Sequence, residues 1–149
     1  MTELARPSRE TGLPKLQRVL ETVLYVTDLE RASRFYADVL GLTTLYADQR
    51  MTAFDVNGAG VLLLFVEGQS LKRIEMPGGA IPPHDGSGPV HIAFSITAED
   101  LPGWEETLAS HGVAIESRAT WPRGGVSLYF RDPDGHALEL ATPGLWQGY

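Results

Sequence analysis

The chain has 149 residues, no cysteine, 43% hydrophobic and 21% charged residues, and a net charge of −7 from 12 basic and 19 acidic side chains. That length fits one domain able to bury about two thirds of the surface its unfolded form exposes, and the acidic balance, with no run of Lys and Arg, speaks against nucleic acid as a partner. Without thiols there are no disulfides and only O and N atoms remain as metal ligands of consequence; with no apolar stretch near the ~20 residues of a membrane span and no signal-peptide core, a cytoplasmic protein without membrane contact is expected.

Residues 1–17 contain Pro7, Gly12 and Pro14 and show no periodicity, which reads as a flexible extension. The run from Val19 to Val26 looks like a strand whose only ionisable residue is Glu21. Thr27 or Asp28 caps a helix from Leu29 to Leu40, on which Leu29, Ala32, Phe35, Tyr36, Val39 and Leu40 keep helical spacing, and Gly41 closes it. Strands are expected at Thr44–Tyr46, Thr52–Val56 and Val61–Val66. A long polar loop follows, rich in Gly and Pro, and loops of that length inside a compact domain are usually functional, mobile or linking. The pattern then restarts: strand Val90–Thr97, helix Asp100–His111 closed by Gly112, and strands near Ala114–Arg118, Val126–Phe130 and Ala137–Ala141. Asp132-Pro133-Asp134-Gly135 is the turn joining the last two.

The order strand, helix, three strands is thus written twice. Residues 20–26 overlay residues 90–96, Gly41 falls beside Gly112, and Leu62-Leu63-Leu64 lands on Leu138-Glu139-Leu140. The expected domain spans residues 18–149, made of a module at 18–67, a loop at 68–88 and a module at 89–145. Neither half buries its inner face alone, so the halves pair with each other or across a homodimer.

Four equivalent strand positions hold Glu21, His91, Glu139 and Leu63. A carboxylate or imidazole in so apolar a strand points to water or needs a partner. Each one alone has a bland explanation, as a solvated edge carboxylate or a satisfied interior histidine. Together, two carboxylates and an imidazole cancel a divalent charge and suit an open, non-thiolate metal site of the Lewis-acid type. Around it stand further candidates. His84, in Pro82-Pro83-His84-Asp85-Gly86, is a lid or acid/base residue or else an ordinary loop histidine. Arg123, in Trp121-Pro122-Arg123-Gly124-Gly125, is a donor for an anionic substrate beside an aromatic wall, or else a solvated hairpin arginine. Tyr25 and Tyr129 are candidates for the cleft walls. His111 suits a helix end without further role, and His136, after a turn glycine, is expected at the surface.

The stretch Leu20-Glu21-Thr22-Val23-Leu24-Tyr25-Val26-Thr27-Asp28-Leu29-Glu30-Arg31-Ala32, with Phe35-Tyr36 and Val39-Leu40-Gly41-Leu42, resembles the opening of the vicinal oxygen chelate superfamily, and residues 88–94 and 129–140 resemble its second module. That group includes glyoxalase I, the fosfomycin and bleomycin resistance proteins and extradiol dioxygenases. The resemblance implies an α+β fold of two βαβββ modules forming an open, cup-like mixed barrel around a divalent metal. His91 and Glu139 match its ligand pattern, Glu21 stands where the first ligand is most often His, and Leu63 stands where glyoxalase I has a carboxylate. This points away from glyoxalase I itself and toward a three-ligand site. The basic phosphonate cradle expected after Glu139 for fosfomycin is replaced by Thr142-Pro143-Gly144-Leu145-Trp146.

Two functional readings follow. The first is a metal-dependent enzyme of lyase, isomerase or dioxygenase type, with a divalent Fe, Mn, Zn or Ni ion held by Glu21, His91 and Glu139 on a small oxygen-chelating substrate, and with Arg123 and His84 orienting an anionic group or moving a proton. The second is a non-catalytic small-molecule or drug-binding dimer of the bleomycin-resistance type.

Overall fold

The computed structural model describes residues 14–149; most of the expected N-terminal extension lies outside them. In the first half, β1 (Glu21–Val26) leads to α1 (Leu29–Arg34), which runs on through a π-helical turn over Phe35–Val39, and then to β2 (Thr43–Ala47), β3 (Met51–Asp55) and β4 (Val61–Val66). The second half repeats the order with β7 (His91–Ser95), α2 (Leu101–Ser110), β8 (Ser117–Thr120), β9 (Val126–Arg131) and β10 (Ala137–Ala141). The segment expected as a plain loop carries a small hairpin, β5 (Ile74–Met76) and β6 (Gly79–Ile81), turned at Pro77-Gly78. Three-residue strands give too short an alternation to stand out in the sequence. The second strand of the second half begins at Ser117 rather than Ala114.

Each half makes one four-stranded mixed sheet, ordered β1-β4-β3-β2 and β7-β10-β9-β8, and the eight strands do not close into a barrel. The repeat holds in the ladders. β1 pairs parallel with β4, Glu21 opposite Val61, as β7 pairs parallel with β10, His91 opposite Ala137. Glu21 and Leu63 are therefore the register equivalents of His91 and Glu139.

Asp28 is the cap of α1, its Oδ1 accepting from the Arg31 N–H at 3.0 Å. Gly41 and Gly112 end the two helical segments at φ of 69° and 68°, a conformation glycine adopts without penalty. Along every long strand the alternate residues divide the sheet into two faces. Leu24, Val26, Leu62 and Leu64 of the first sheet meet Tyr36 and Val39 of the first helical segment, Leu108 of α2, and Phe130, Leu138 and Leu140 of the second sheet in one core. Each fully buried leucine there contributes on the order of 1.5–3 kcal/mol. The other faces, carrying Glu21, Val23 and Tyr25 or His91, Ala93 and Ser95, turn away from that shared core.

One polar network sits inside the core. Asp132 and His136 are 5% and 2% exposed, so His136 is interior and not the surface residue expected of a histidine after a turn glycine. Asp132 Oδ2 accepts from the Tyr36 hydroxyl at 2.6 Å and from His136 Nδ1–H at 2.7 Å, while Oδ1 accepts the backbone N–H groups of Asp134 and His136 at 3.0 and 2.9 Å. Asp134 Oδ1 in turn accepts from the Thr27 N–H and hydroxyl at 2.8 and 2.9 Å. Burial, and then the charge of Asp132, push the Tyr36 hydroxyl pKa far above its ordinary value, so it remains a donor at any physiological pH.

Removing that hydroxyl by Tyr36→Phe leaves the buried Asp132 carboxylate with one donor fewer. Urea denaturation is expected to show a loss of roughly 1–3 kcal/mol with an unchanged m-value.

Candidate functional site

The open face of the second sheet carries the main cluster. His91 projects from β7 and Glu139 from β10, and their Nε2 and Oε1 atoms lie 3.1 Å apart. The imidazole is half-exposed, whereas the carboxylate is buried. His91 Nδ1 lies 2.7 Å from the Ala137 carbonyl, which only accepts, so Nδ1 carries the proton. In the neutral ring Nε2 is then a lone pair facing a carboxylate oxygen. Two acceptors so close call for a proton or a cation between them, and the backbone carbonyl on the far nitrogen is the arrangement that orients a metal-binding imidazole.

The second carboxylate oxygen is occupied otherwise. Glu139 Oε2 accepts from the Ser127 hydroxyl at 2.5 Å, and Ser127 Oγ accepts from the Trp121 indole N–H at 2.8 Å. Tyr129, opposite Glu139 in the ladder, places its ring 6.2 Å from that of His91. Its pKa is raised, first by burial and then by the charge of Glu139. Arg123 stands exposed on the turn between β8 and β9, at the rim of this face.

Glu21 is exposed on the open face of the other sheet. Among the described residues no three His, Asp or Glu side chains are close enough to hold one ion between them. Within a single chain, then, Glu21 does not meet His91 and Glu139. The reason is architectural: both sheets turn their leucine faces to the common core, so the faces bearing these groups look outward in different directions. Leu63, with Ala53 and Phe65, forms a small apolar floor on the Glu21 face.

A second arrangement lies on that face. The Tyr25 hydroxyl is 2.5 Å from His84 Nδ1, and the His84 ring meets Phe65 edge-on at 4.8 Å. The loop bearing His84 is fastened by the His84 N–H on the Ser70 carbonyl at 2.9 Å and by Asp85 Oδ1 on the Gly68 N–H at 3.0 Å. The Tyr25 pKa is raised by burial and then by Asp85. His84 is thus a fastened residue in a loop that the sequence left open between lid and ordinary surface. Its partner was not legible in local pattern, since Tyr25 is 59 residues away. Ser127 escaped as well, and Trp121 was read only as an aromatic wall, without its bond to Ser127. Their one sequence signal is that Ser127 shares strand parity with Tyr129, which matters only once the ladder sets β9 against β10. His111 does what a helix end requires, its ring nitrogen on the Thr107 carbonyl at 2.9 Å.

This architecture, two repeated βαβββ halves with an imidazole and a carboxylate on an open sheet face, defines the class of duplicated βαβββ proteins. The family model described as Glyoxalase/Bleomycin resistance protein/Dioxygenase superfamily matches residues 18–140, and the chain belongs to that superfamily. It is 36% identical over 129 residues to a metallothiol transferase FosB of Bacillus licheniformis, covering 86% of this chain and 77% of that one. It is 33% identical over 134 residues to a glutathione transferase FosA of Serratia marcescens, covering 87% and 84%. The crystal structure of a lactoylglutathione lyase from Agrobacterium tumefaciens superposes with a TM-score of 0.81 at 30% identity, over 89% of this chain and 98% of that one.

Gly86 packs directly on the Tyr25 ring, where an added methyl would stand 2.6 Å from Cδ2. Gly86→Ala is expected to displace the ring, separating Tyr25 from His84, at a cost of roughly 1–3 kcal/mol measurable as a lowered melting temperature. An unchanged melt together with an unchanged His84 imidazole NMR signal would refute the contact.

Proposed function

We propose that the protein is a divalent-metal-dependent enzyme acting on a small substrate that offers oxygen atoms to the ion. The observation that carries this reading is the His91–Glu139 pair: an imidazole whose Nδ1 proton is committed to the Ala137 carbonyl sets its Nε2 3.1 Å from a buried carboxylate oxygen, a place a cation can fill. The donor set, one nitrogen and carboxylate oxygens without thiolate, fits a divalent Fe, Mn, Zn or Ni ion. Bound there, the ion would supply Lewis-acid stabilisation of charge developing on a substrate oxygen.

The third ligand in this reading is Glu21 of a second copy of the chain. Glu21 is exposed on β1 and His91 on β7, and each strand is one of the two edges of its sheet. A homodimer that sets the Glu21 face of one chain against the His91 face of the other covers both edges and brings the three groups together. The Tyr25–His84 pair shares the Glu21 face and would enter the same site. There His84 holds or passes a proton through the Tyr25 hydroxyl, and Arg123 at the rim receives an anionic part of the substrate. The relatives are named metallothiol transferase, glutathione transferase and lactoylglutathione lyase, which supports transferase or lyase chemistry over oxygen insertion. The cytoplasm remains the proposed location; no helix of the described residues is long and apolar enough to cross a membrane.

Metal analysis of untagged protein is expected to give about one divalent ion per chain and next to none for Glu139→Ala; equal content in the two would end the reading. Small-angle scattering should report a dimer, and a strictly monomeric profile would remove the shared site. Mixing Glu21→Ala with Glu139→Ala chains, each unable to bind alone, should restore about one ion per mixed dimer, because one of its two sites then draws intact ligands from both chains.

A further inference from the structure

Glu139 is a buried carboxylate whose two oxygens are treated differently. Here Oε2 takes the only proton that the Ser127 hydroxyl has, at 2.5 Å, which leaves Oε1 for the group between it and the His91 nitrogen 3.1 Å away, a proton or a cation. The Ser127 hydroxyl is itself held. Its oxygen accepts the Trp121 indole N–H at 2.8 Å, which directs its proton toward Glu139, and the residue is fully buried.

The indole is fixed by its own turn. The Trp121 N–H donates to the Gly125 carbonyl at 2.8 Å and the Trp121 carbonyl accepts the Gly124 N–H at 2.9 Å. Gly125 lies against Gly144 so closely that a methyl on it would stand 2.7 Å from the Gly144 carbonyl carbon. The Thr142 hydroxyl oxygen accepts the Val126 N–H at 2.8 Å, tying the same turn to the end of β10.

We infer that Trp121 and Ser127 form a positioning relay, indole N–H to hydroxyl to carboxylate, that commits Glu139 to offering a single oxygen beside His91 and so keeps coordination positions free for a chelating ligand. The inference rests on the metal-site reading above and deepens it. In this inference both residues act on the ion through Glu139, to which the fully buried Ser127 is directly bonded. The relay makes Trp121 a built-in reporter, because a change at Oε1 is passed through one hydroxyl to the indole.

The test titrates full-length protein with Mn²⁺ or Zn²⁺ alone, by calorimetry and by tryptophan emission. Wild-type protein should bind with a change in emission. Ser127→Ala should bind about 10–100-fold more weakly, the usual effect of losing a group that orients a ligand, and its emission should no longer respond. Trp121→Phe, which keeps an aromatic ring but has no N–H, should weaken calorimetric affinity in the same direction and abolish the emission change, with Trp104 and Trp146 still present. Either variant, shown folded by its thermal melt, binding the ion with wild-type affinity would overturn the relay. Should Ser127→Ala not fold, Trp121→Phe decides alone. Wild-type protein that binds no ion would overturn the metal site and the relay with it; wild-type binding that is lost in Glu139→Ala but unchanged in the relay variants would overturn the relay only.

Discussion

The buried carboxylate of Asp132 ties the two halves of the chain together. It accepts from Tyr36 of the first half and from His136 and two backbone N–H groups of the second, so one anion gathers donors separated by about a hundred residues of chain. A lone carboxylate in this core would cost several kcal/mol; satisfied by four donors it becomes a registration point, because few other packings of the halves would satisfy it. Asp134 extends the tie to Thr27, at the end of β1. The turn that bears these acids leads directly into β10, so the network that docks the halves also sets the start of the strand carrying Glu139.

The same alternation that builds the core exposes the chemistry. With Leu138 and Leu140 turned inward, Glu139 has to face outward onto the open side of its sheet, and β7 presents His91 to it across a parallel ladder. The first half keeps the geometry and changes the content. Glu21 stands in the place of His91 and Leu63 in the place of Glu139, so that half holds one carboxylate above an apolar floor. Each chain thus carries one imidazole–carboxylate pair and one separate carboxylate. That imbalance is what makes a site shared between copies the economical completion in the proposed reading.

Around this pair the second sheet supplies support from within, through Ser127 and Trp121, while the first sheet supplies a tyrosine and a histidine fastened by the long inter-module segment. Rigid strands thus carry the proposed ligands. A loop, anchored at His84 and Asp85, carries the group proposed to handle protons.

Period-two alternation, helical spacing, turn chemistry and an internal repeat are local properties of the chain, and from them the two βαβββ halves, the α+β class and the outward parity of Glu21, His91 and Glu139 were legible in the residues alone. Local pattern says nothing of where one half lies against the other. For that reason His136 looked like a surface residue, Glu21 looked like a neighbour of His91, and the Tyr25–His84 pair and the Trp121–Ser127 relay were invisible: each depends on contacts between residues distant in sequence or on the register between strands. Tertiary structure decided these points because packing both leucine faces into one core fixes which way the open faces look, and a buried acid such as Asp132 then selects the partners that satisfy it.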